Sequence, residues 1–197
     1  IVEADYEFLG NDGSVFYFKT DFNAPRARII AIDVSKPEKA NWKEIIPQSA
    51  NTLQTAFIAG NRLVLGYLKD AISHVEIRSL TGALEHTLKV PDLGTVGGFS
   101  GKRESNELFY SVTAYTRPTT IYRLDLASKQ DSVFRQPKVA FDAAQFESRQ
   151  VFYTSKDGTK VPMFLAYRKG LKLDGTNPTL LYAYGGFNIA MSPGYSP

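Results

Sequence analysis

Apolar and polar positions in residues 1–139 follow the pattern of short β-strands separated by turns. Runs of Val, Ile, Phe, Tyr and Leu alternate with turn-forming residues at short intervals. The runs recur as a repeat, because the segments that begin at Val15, Leu63 and Leu108 resemble one another at spacings of 48 and 45 residues. Each segment is preceded by one further strand pattern and followed by two more. The pattern therefore predicts three four-stranded units.

The predicted strands cover 6–9, 15–20, 28–33 and 42–47 in the first unit, 53–59, 63–68, 74–78 and 84–90 in the second, and 95–99, 108–113, 120–125 and 132–136 in the third. Turn residues separate the first two strands of each unit: Asn11-Asp12-Gly13, Gly60-Asn61 and Ser105-Asn106. Four strands per unit in a repeat indicate a β-propeller, which typically has about 4–8 blades. A generic antiparallel sandwich would explain the strands but not the repeat.

Three blades cannot close a propeller, so we expect the remaining blades in sequence outside this chain. The start at Ile1 rather than at a methionine favours the same interpretation. Residues 1–139 are thus predicted to be a partial propeller of about three blades.

The repeat stops at residue 141, and a different pattern fills the predicted second domain, residues 140–197. Strands predicted at 150–154 and 161–167 flank Lys156-Asp157-Gly158-Thr159, whose Asp-Gly pair favours a hairpin. Pro162 lacks an amide proton, which predicts an edge strand or an amide that points outward. After a polar loop, apolar residues at 180–184 predict a short buried strand that ends in a turn at Gly185-Gly186.

Composition excludes several classes of protein. The chain is 43% hydrophobic and 22% charged, as an ordinary globular protein is, and no apolar run is long enough to span a membrane. The first residues do not show the basic-then-apolar pattern of a leader, so we expect no secretory signal. The net charge is +3 with evenly mixed signs, so no basic stripe favours nucleic-acid binding. The chain has no cysteine and only two, dispersed histidines, which argues against a zinc site, and we predict neither a metal nor a cofactor.

Candidates for a serine nucleophile and its base do not emerge from the residues. His74 and His86 lie in strand patterns, and we interpret both as strand residues rather than general bases. Gly97-Gly98-Phe99-Ser100-Gly101 fails the G-x-S-x-G pattern, because Lys102 stands where the second glycine should be. It falls within the repeat, so a blade strand is the better interpretation.

Three strings carry a resemblance to a known family: LYAYGGFN near the end of the chain, and YTSKDGTKVPMFLAYRKG and LDGTNP before it. They resemble the prolyl oligopeptidase family of serine peptidases. The resemblance implies that residues 140–197 are the first strands of an α/β-hydrolase sheet, and that the catalytic serine, aspartate and histidine lie outside this chain. It implies a cytoplasmic enzyme that cleaves short proline-containing peptides on the carboxyl side of proline, with a propeller that covers the active site.

Two residues match the family motif by position. The resemblance implies that Tyr184 donates its hydroxyl to the oxyanion of the tetrahedral intermediate, and that Phe187 lines the pocket for the substrate proline. Both roles are physically reasonable, since a preorganised O–H stabilises developing charge and a flat apolar ring suits a pyrrolidine. Asn188 is a candidate to support the turn between them.

Two rival functions remain open. A related oligopeptidase with specificity for basic residues would need acidic residues in its pocket, and Phe187 after the glycine pair argues against it. A non-catalytic propeller that binds a partner through its face is the other rival. A G-x-S-x-G motif followed by an aspartate and a histidine, downstream of this chain, would decide for an enzyme.

Overall fold

The computed structural model describes residues 3–140, 142–187 and 189–196. In these ranges the protein is mainly β, with three four-stranded antiparallel sheets and one two-stranded hairpin. Helical residues in the described ranges are confined to two short 3-10 turns, Lys39–Asn41 and Ala143–Gln145. No helix in this part of the chain is both long and apolar enough to cross a membrane.

The first sheet consists of β1 (Tyr6–Asp12), β2 (Val15–Thr20), β3 (Arg28–Asp33) and β4 (Lys43–Ile46); the second of β5 (Thr52–Ala59), β6 (Arg62–Lys69), β7 (Ile72–Ser79) and β8 (Leu84–Thr87); the third of β9 (Thr95–Gly101), β10 (Glu107–Ala114), β11 (Arg117–Asp125) and β12 (Gln130–Arg135); and the hairpin of β13 (Phe146–Thr154) and β14 (Lys160–Arg168).

Each sheet is a meander, with strands in chain order and neighbours antiparallel. The turn between β5 and β6 shows how short turns allow consecutive strands to pair in this way. Ala59 pairs with Arg62, and the two residues between them, Gly60 and Asn61, both have positive φ, of 56° and 54°. A two-residue turn with two positive φ angles matches the twist of the flanking strands, and Gly and Asn tolerate that conformation best.

The hydrophobic core lies in two layers, one on each face of the second sheet. Leu63 and Leu65 of β6 pack with Ile29 against the first sheet, whereas Val64 packs with Leu108 against the third. Because β6 is buried on both faces, its apolar residues run on without alternation. The outer sheets have one covered face each, and β10 alternates accordingly between buried and less buried positions.

The structure confirms the twelve predicted strands of the three repeats, with end points that differ by a few residues. It also confirms the hairpin, in which Thr154 pairs with Lys160 around a five-residue loop, 155–159. Pro162 pairs with Phe152 in a two-stranded sheet, where both strands are edges. The boundary between residues 139 and 140 and the assignment of the hairpin to an α/β-hydrolase sheet stay predictions.

The buried strand predicted at 180–184 is wrong for this structure. These residues are irregular, and Leu180 and Leu181 are 90% and 82% exposed. The apolar run satisfies the side-chain requirement of a buried strand, but a strand also needs a neighbour that pairs with its backbone groups and a layer that covers its faces. None of the fourteen described strands pairs with residues 180–184.

Candidate functional site

The two predicted site residues lie in an exposed, irregular segment of the chain. Tyr184 is half exposed and Phe187 is 91% exposed. Between them, Gly185 has a φ of +78°, and Phe187 itself has a φ of +53°. The amide of Ile189 donates to the carbonyl of Gly186 at 3.1 Å. The predicted turn at the glycine pair is therefore present, while Asn188 lies outside the described residues.

The backbone of this turn is open to solvent. A Cβ placed on Gly185 or on Gly186 would meet no heavy atom within 4 Å. Only Gly185 needs glycine for its backbone conformation, since its φ lies in the left-handed region. A left-handed conformation is also unusual for a bulky side chain such as Phe187, and strained residues of this kind cluster at functional sites. The turn thus presents a phenol and an aromatic ring on an accessible backbone.

The hairpin that precedes this segment contacts the turns of two sheets. The side-chain amide of Gln150 on β13 donates to the carbonyl of Asp70, in the turn between β6 and β7, at 2.5 Å. The ring of Phe164 on β14 lies 5.8 Å from that of Tyr115, in the turn between β10 and β11. These contacts fix the hairpin against one end of the second and third sheets.

The residues that follow the turn return to the third sheet. The hydroxyl of Thr95, at the start of β9, donates to the carbonyl of Pro193 at 2.6 Å. The amide of Tyr195 donates to the hydroxyl of Thr113, on β10, at 3.1 Å. Pro193 is buried. The parts of the chain before and after the segment with Tyr184 and Phe187 are therefore both in contact with the sheets.

No pattern in the sequence points to Thr95 or Thr113 as functional residues. Their contacts join residues 98 and 82 positions apart, and neither threonine stands in a motif. A threonine in a strand is ordinary, so no local signal in the sequence distinguishes these two from the others.

Both histidines lie in strands, as predicted: His74 on β7 and His86 on β8. His74 belongs to a row of polar side chains in a cleft of about 190 Å³ between the first and second sheets. Its Nε2 lies 3.1 Å from a carboxylate oxygen of Glu76, whose other oxygen accepts from Arg78 at 2.7 Å. Burial alone would raise the pKa of Glu76, but the hydrogen bonds from Arg78 and His74 outweigh it, and the pKa is lowered. In the same cleft, burial raises the pKa of Tyr67 to about 12.

The Gly-Ser stretch at 97–101 lies within β9, as predicted. Gly98 has a φ of +62° at a register shift opposite β10, and Ser100 pairs with Phe109. This serine is a ladder residue rather than the apex of a strand-to-helix turn. Among the residues that the structure describes, no group of three or more His, Asp or Glu side chains is arranged to hold a metal ion.

Three consecutive four-stranded meanders, packed face to face, define a protein of the β-propeller class. The chain belongs to the prolyl oligopeptidase family. Residues 1–137 match the family model described as the prolyl oligopeptidase N-terminal β-propeller domain.

Relatives with similar sequences agree with this assignment. The chain is 40% identical over 194 residues to a prolyl endopeptidase of Elizabethkingia miricola, a match that covers 98% of this chain and 27% of that protein. It is 34% identical to prolyl oligopeptidase A of Amanita bisporigera, over 100% of this chain and 26% of that protein. The chain thus spans about a quarter of the length of these relatives.

Solved structures show the same fold. A structure from a study of two prolyl endopeptidases and their inter-domain dynamics superimposes with a TM-score of 0.92 at 40% identity, over 100% of this chain and 29% of that one. Prolyl oligopeptidase B from Galerina marginata, bound to a 35-residue hydrolysis and macrocyclisation substrate, superimposes with a TM-score of 0.89 at 33% identity, over 98% of this chain and 28% of that one.

Proposed function

We propose that this chain is part of a longer serine peptidase that hydrolyses short peptides on the carboxyl side of proline. The observation that carries the proposal is the exposed turn at 184–187, in which a hydroxyl and an apolar ring flank two glycines. It lies in a chain 40% identical to a prolyl endopeptidase. The serine, histidine and aspartate of the triad would come from sequence outside this chain.

In this proposal Tyr184 donates a hydrogen bond to the oxyanion as the scissile carbonyl becomes tetrahedral. Such a donor contributes more in the transition state than in the ground state, because the charge that it stabilises develops only there. Phe187 packs against the pyrrolidine ring of the substrate proline. The 91% exposure of its ring leaves an apolar surface available for this contact.

The hairpin and the segment that follows it begin the α/β-hydrolase domain, and the three sheets are the last blades of a propeller that limits access to the site. The substrates are proline-containing oligopeptides, and the enzyme needs neither a cofactor nor a nucleic acid or membrane partner. A chain without cysteine suits a reducing compartment, which supports a cytoplasmic location.

The test compares two tyrosines of the same segment in the full-length protein, with a fluorogenic Gly-Pro substrate. Tyr184→Phe removes the hydroxyl and keeps the ring, and we expect kcat to fall by about 10²–10³, the usual cost of one oxyanion donor. Tyr182→Phe is the matched control, because Tyr182 is also exposed and two residues away. Its kcat should stay at the wild-type value.

Phe187→Ala addresses specificity in the same assay. The lost apolar contact should reduce the preference for proline over alanine by about 10-fold or more, since small apolar differences in a pocket change discrimination by about 10–200-fold. Equal losses in Tyr184→Phe and Tyr182→Phe would mean that the segment tolerates no change, and would contradict the oxyanion role. Full-length protein that does not cleave proline substrates would contradict the proposed function as a whole.

A further inference from the structure

Two threonines of the third sheet hold the end of the described chain through its backbone. Thr95 and Thr113 are paired residues of β9 and β10. The Thr95 hydroxyl donates to the carbonyl of Pro193, and the Thr113 hydroxyl accepts from the amide of Tyr195. Both contacts are partly buried, so water replaces them poorly.

The spacing of the two backbone groups explains why a pair of threonines fits them. In an extended segment, the carbonyl of one residue and the amide two residues later point to the same side. A neighbouring strand would normally satisfy both groups. Here two side chains that are directly opposite each other in the ladder, and so on one face of the sheet, take the place of that strand.

This contact limits where the candidate turn can be. Pro193 lies six positions after Phe187 along the chain, and an extended chain spans at most about 3.3–3.6 Å per residue. The backbone of Phe187 therefore cannot lie further than about 20 Å from Pro193, which is itself in contact with the third sheet. Tyr184 is three residues further away along the chain.

We propose that Thr95 and Thr113 are positioning residues that hold residues 193–195 on the third sheet and thereby fix the location of Tyr184 and Phe187. This role rests on the proposed function, because it assigns a purpose to the site that those two residues form. The third sheet then contributes to the placement of the oxyanion donor and the proline pocket through these two hydrogen bonds.

The test uses the full-length protein and isosteric variants. Thr95→Val and Thr113→Val remove each hydroxyl and keep the shape of the side chain, whereas Thr95→Ser and Thr113→Ser keep the hydroxyl. Thr119→Val is the matched control, because Thr119 is an exposed threonine on β11 of the same sheet. Two measurements are made on each variant: amide hydrogen exchange of the peptide that covers 189–196, and the kinetics of a Gly-Pro substrate.

Each valine variant should speed exchange in 189–196 by about 5- to 10-fold, the effect of losing one hydrogen bond. It should also lower kcat by up to about 10²-fold, the loss that a displacement of about 1 Å can cause. KM should change less than kcat, because the oxyanion contact forms in the transition state. The serine variants should restore both values, and Thr119→Val should match the wild type.

The two measurements separate the failure of this inference from the failure of the proposed function. Unchanged exchange in the valine variants, or faster exchange with unchanged kcat, overturns the positioning role even when the wild-type protein cleaves proline substrates. Equal losses in Thr119→Val do the same, because they indicate general destabilisation. A wild-type protein without prolyl activity overturns the proposed function and the positioning role together, while the exchange data still report whether the two contacts exist.

Discussion

At the scale of single residues, some positions of this chain require glycine because a neighbouring atom would clash with a Cβ, and others only because of their backbone conformation. Gly82, in the turn between β7 and β8, has a φ of +94°, and a Cβ there would lie 2.4 Å from the carbonyl oxygen of Ile45 in the first sheet. Gly158, in the hairpin loop, has a φ of +86° with no heavy atom within 4 Å of a Cβ. Comparing substitutions at these two glycines therefore distinguishes the cost of backbone strain, which both share, from the cost of a steric clash, which only Gly82 has.

Gly82→Ala should therefore lower the free energy of unfolding of the full-length protein more than Gly158→Ala does. Each variant forces alanine into a left-handed conformation, which costs of the order of 1–3 kcal/mol. Gly82→Ala must also move the first sheet away from the second by displacing backbone. Calorimetric melting temperatures of the two variants and the wild type measure the difference, and equal shifts would show that the two sheets separate without cost.

The two candidate site residues show what a sequence can and cannot reveal at this scale. Motif position identified Tyr184 and Phe187, and the glycine pair predicted the turn between them, because a positive φ at Gly185 is a local property. Exposure is not local. The ring of Phe187 is 91% exposed because no other part of the described chain covers it, and this cannot be read from the residue type alone.

At the scale of the elements, strands were predictable wherever the apolar pattern of a segment was accompanied by a pairing strand nearby in the sequence. All twelve strands of the three sheets have neighbours within their own repeat, connected by short turns, so period and turn residues sufficed. The run at 180–184 has the same apolar content, but no described strand pairs with it, and the prediction failed there. The pattern of apolar side chains indicates that a segment can be buried, but the segment becomes a strand only where a neighbouring strand pairs with its backbone.

The side chain of Arg103 makes contacts between elements that no sequence pattern predicts. From the loop between β9 and β10, its side chain reaches Oδ1 of Asn61 at 2.9 Å, the carbonyl of Asn11 at 2.5 Å and the carboxylate of Asp12. It therefore links this loop of the third sheet to the end of β1 in the first sheet and to the β5–β6 turn of the second. The partners are 42 to 92 positions away along the chain, which is why only the structure reveals them.

Arg103→Gln should weaken this link and lower the stability of the full-length protein by about 1 kcal/mol or more, since hydrogen bonds to charged groups contribute about 1.5–3 kcal/mol each and partial exposure reduces that value. Lys102→Gln is the matched control, because it removes the same charge from the exposed neighbouring position. Denaturant unfolding of both variants measures the effect. If Lys102→Gln destabilises as much as Arg103→Gln, the loss comes from net charge and not from the contacts that Arg103 makes.

At the scale of the whole molecule, the three sheets differ in how many of their faces are covered. The second sheet is packed on both faces, whereas the first and third each leave one face without a neighbouring sheet among the described residues. Aromatic clusters lie on these faces: Phe8 with Phe16 and Phe18 on the first sheet, and Phe109 with Phe134 on the third. Phe8 and Phe134 are each 53% exposed. Three sheets of this kind are an open set rather than a closed ring.

The 197-residue chain on its own should therefore self-associate and melt broadly, because aromatic faces and unpaired strand edges such as β12 remain in contact with water. Phe8→Lys and Phe134→Lys, combined, should shift the protein toward monomer by placing a charge on each open face. Val34→Lys is the matched control, since Val34 is 52% exposed but follows β3 in a turn. Sedimentation velocity at several concentrations distinguishes the variants. A chain that sediments as a monomer and melts sharply would mean that three sheets form a self-sufficient domain, and that the open aromatic faces need no further partner.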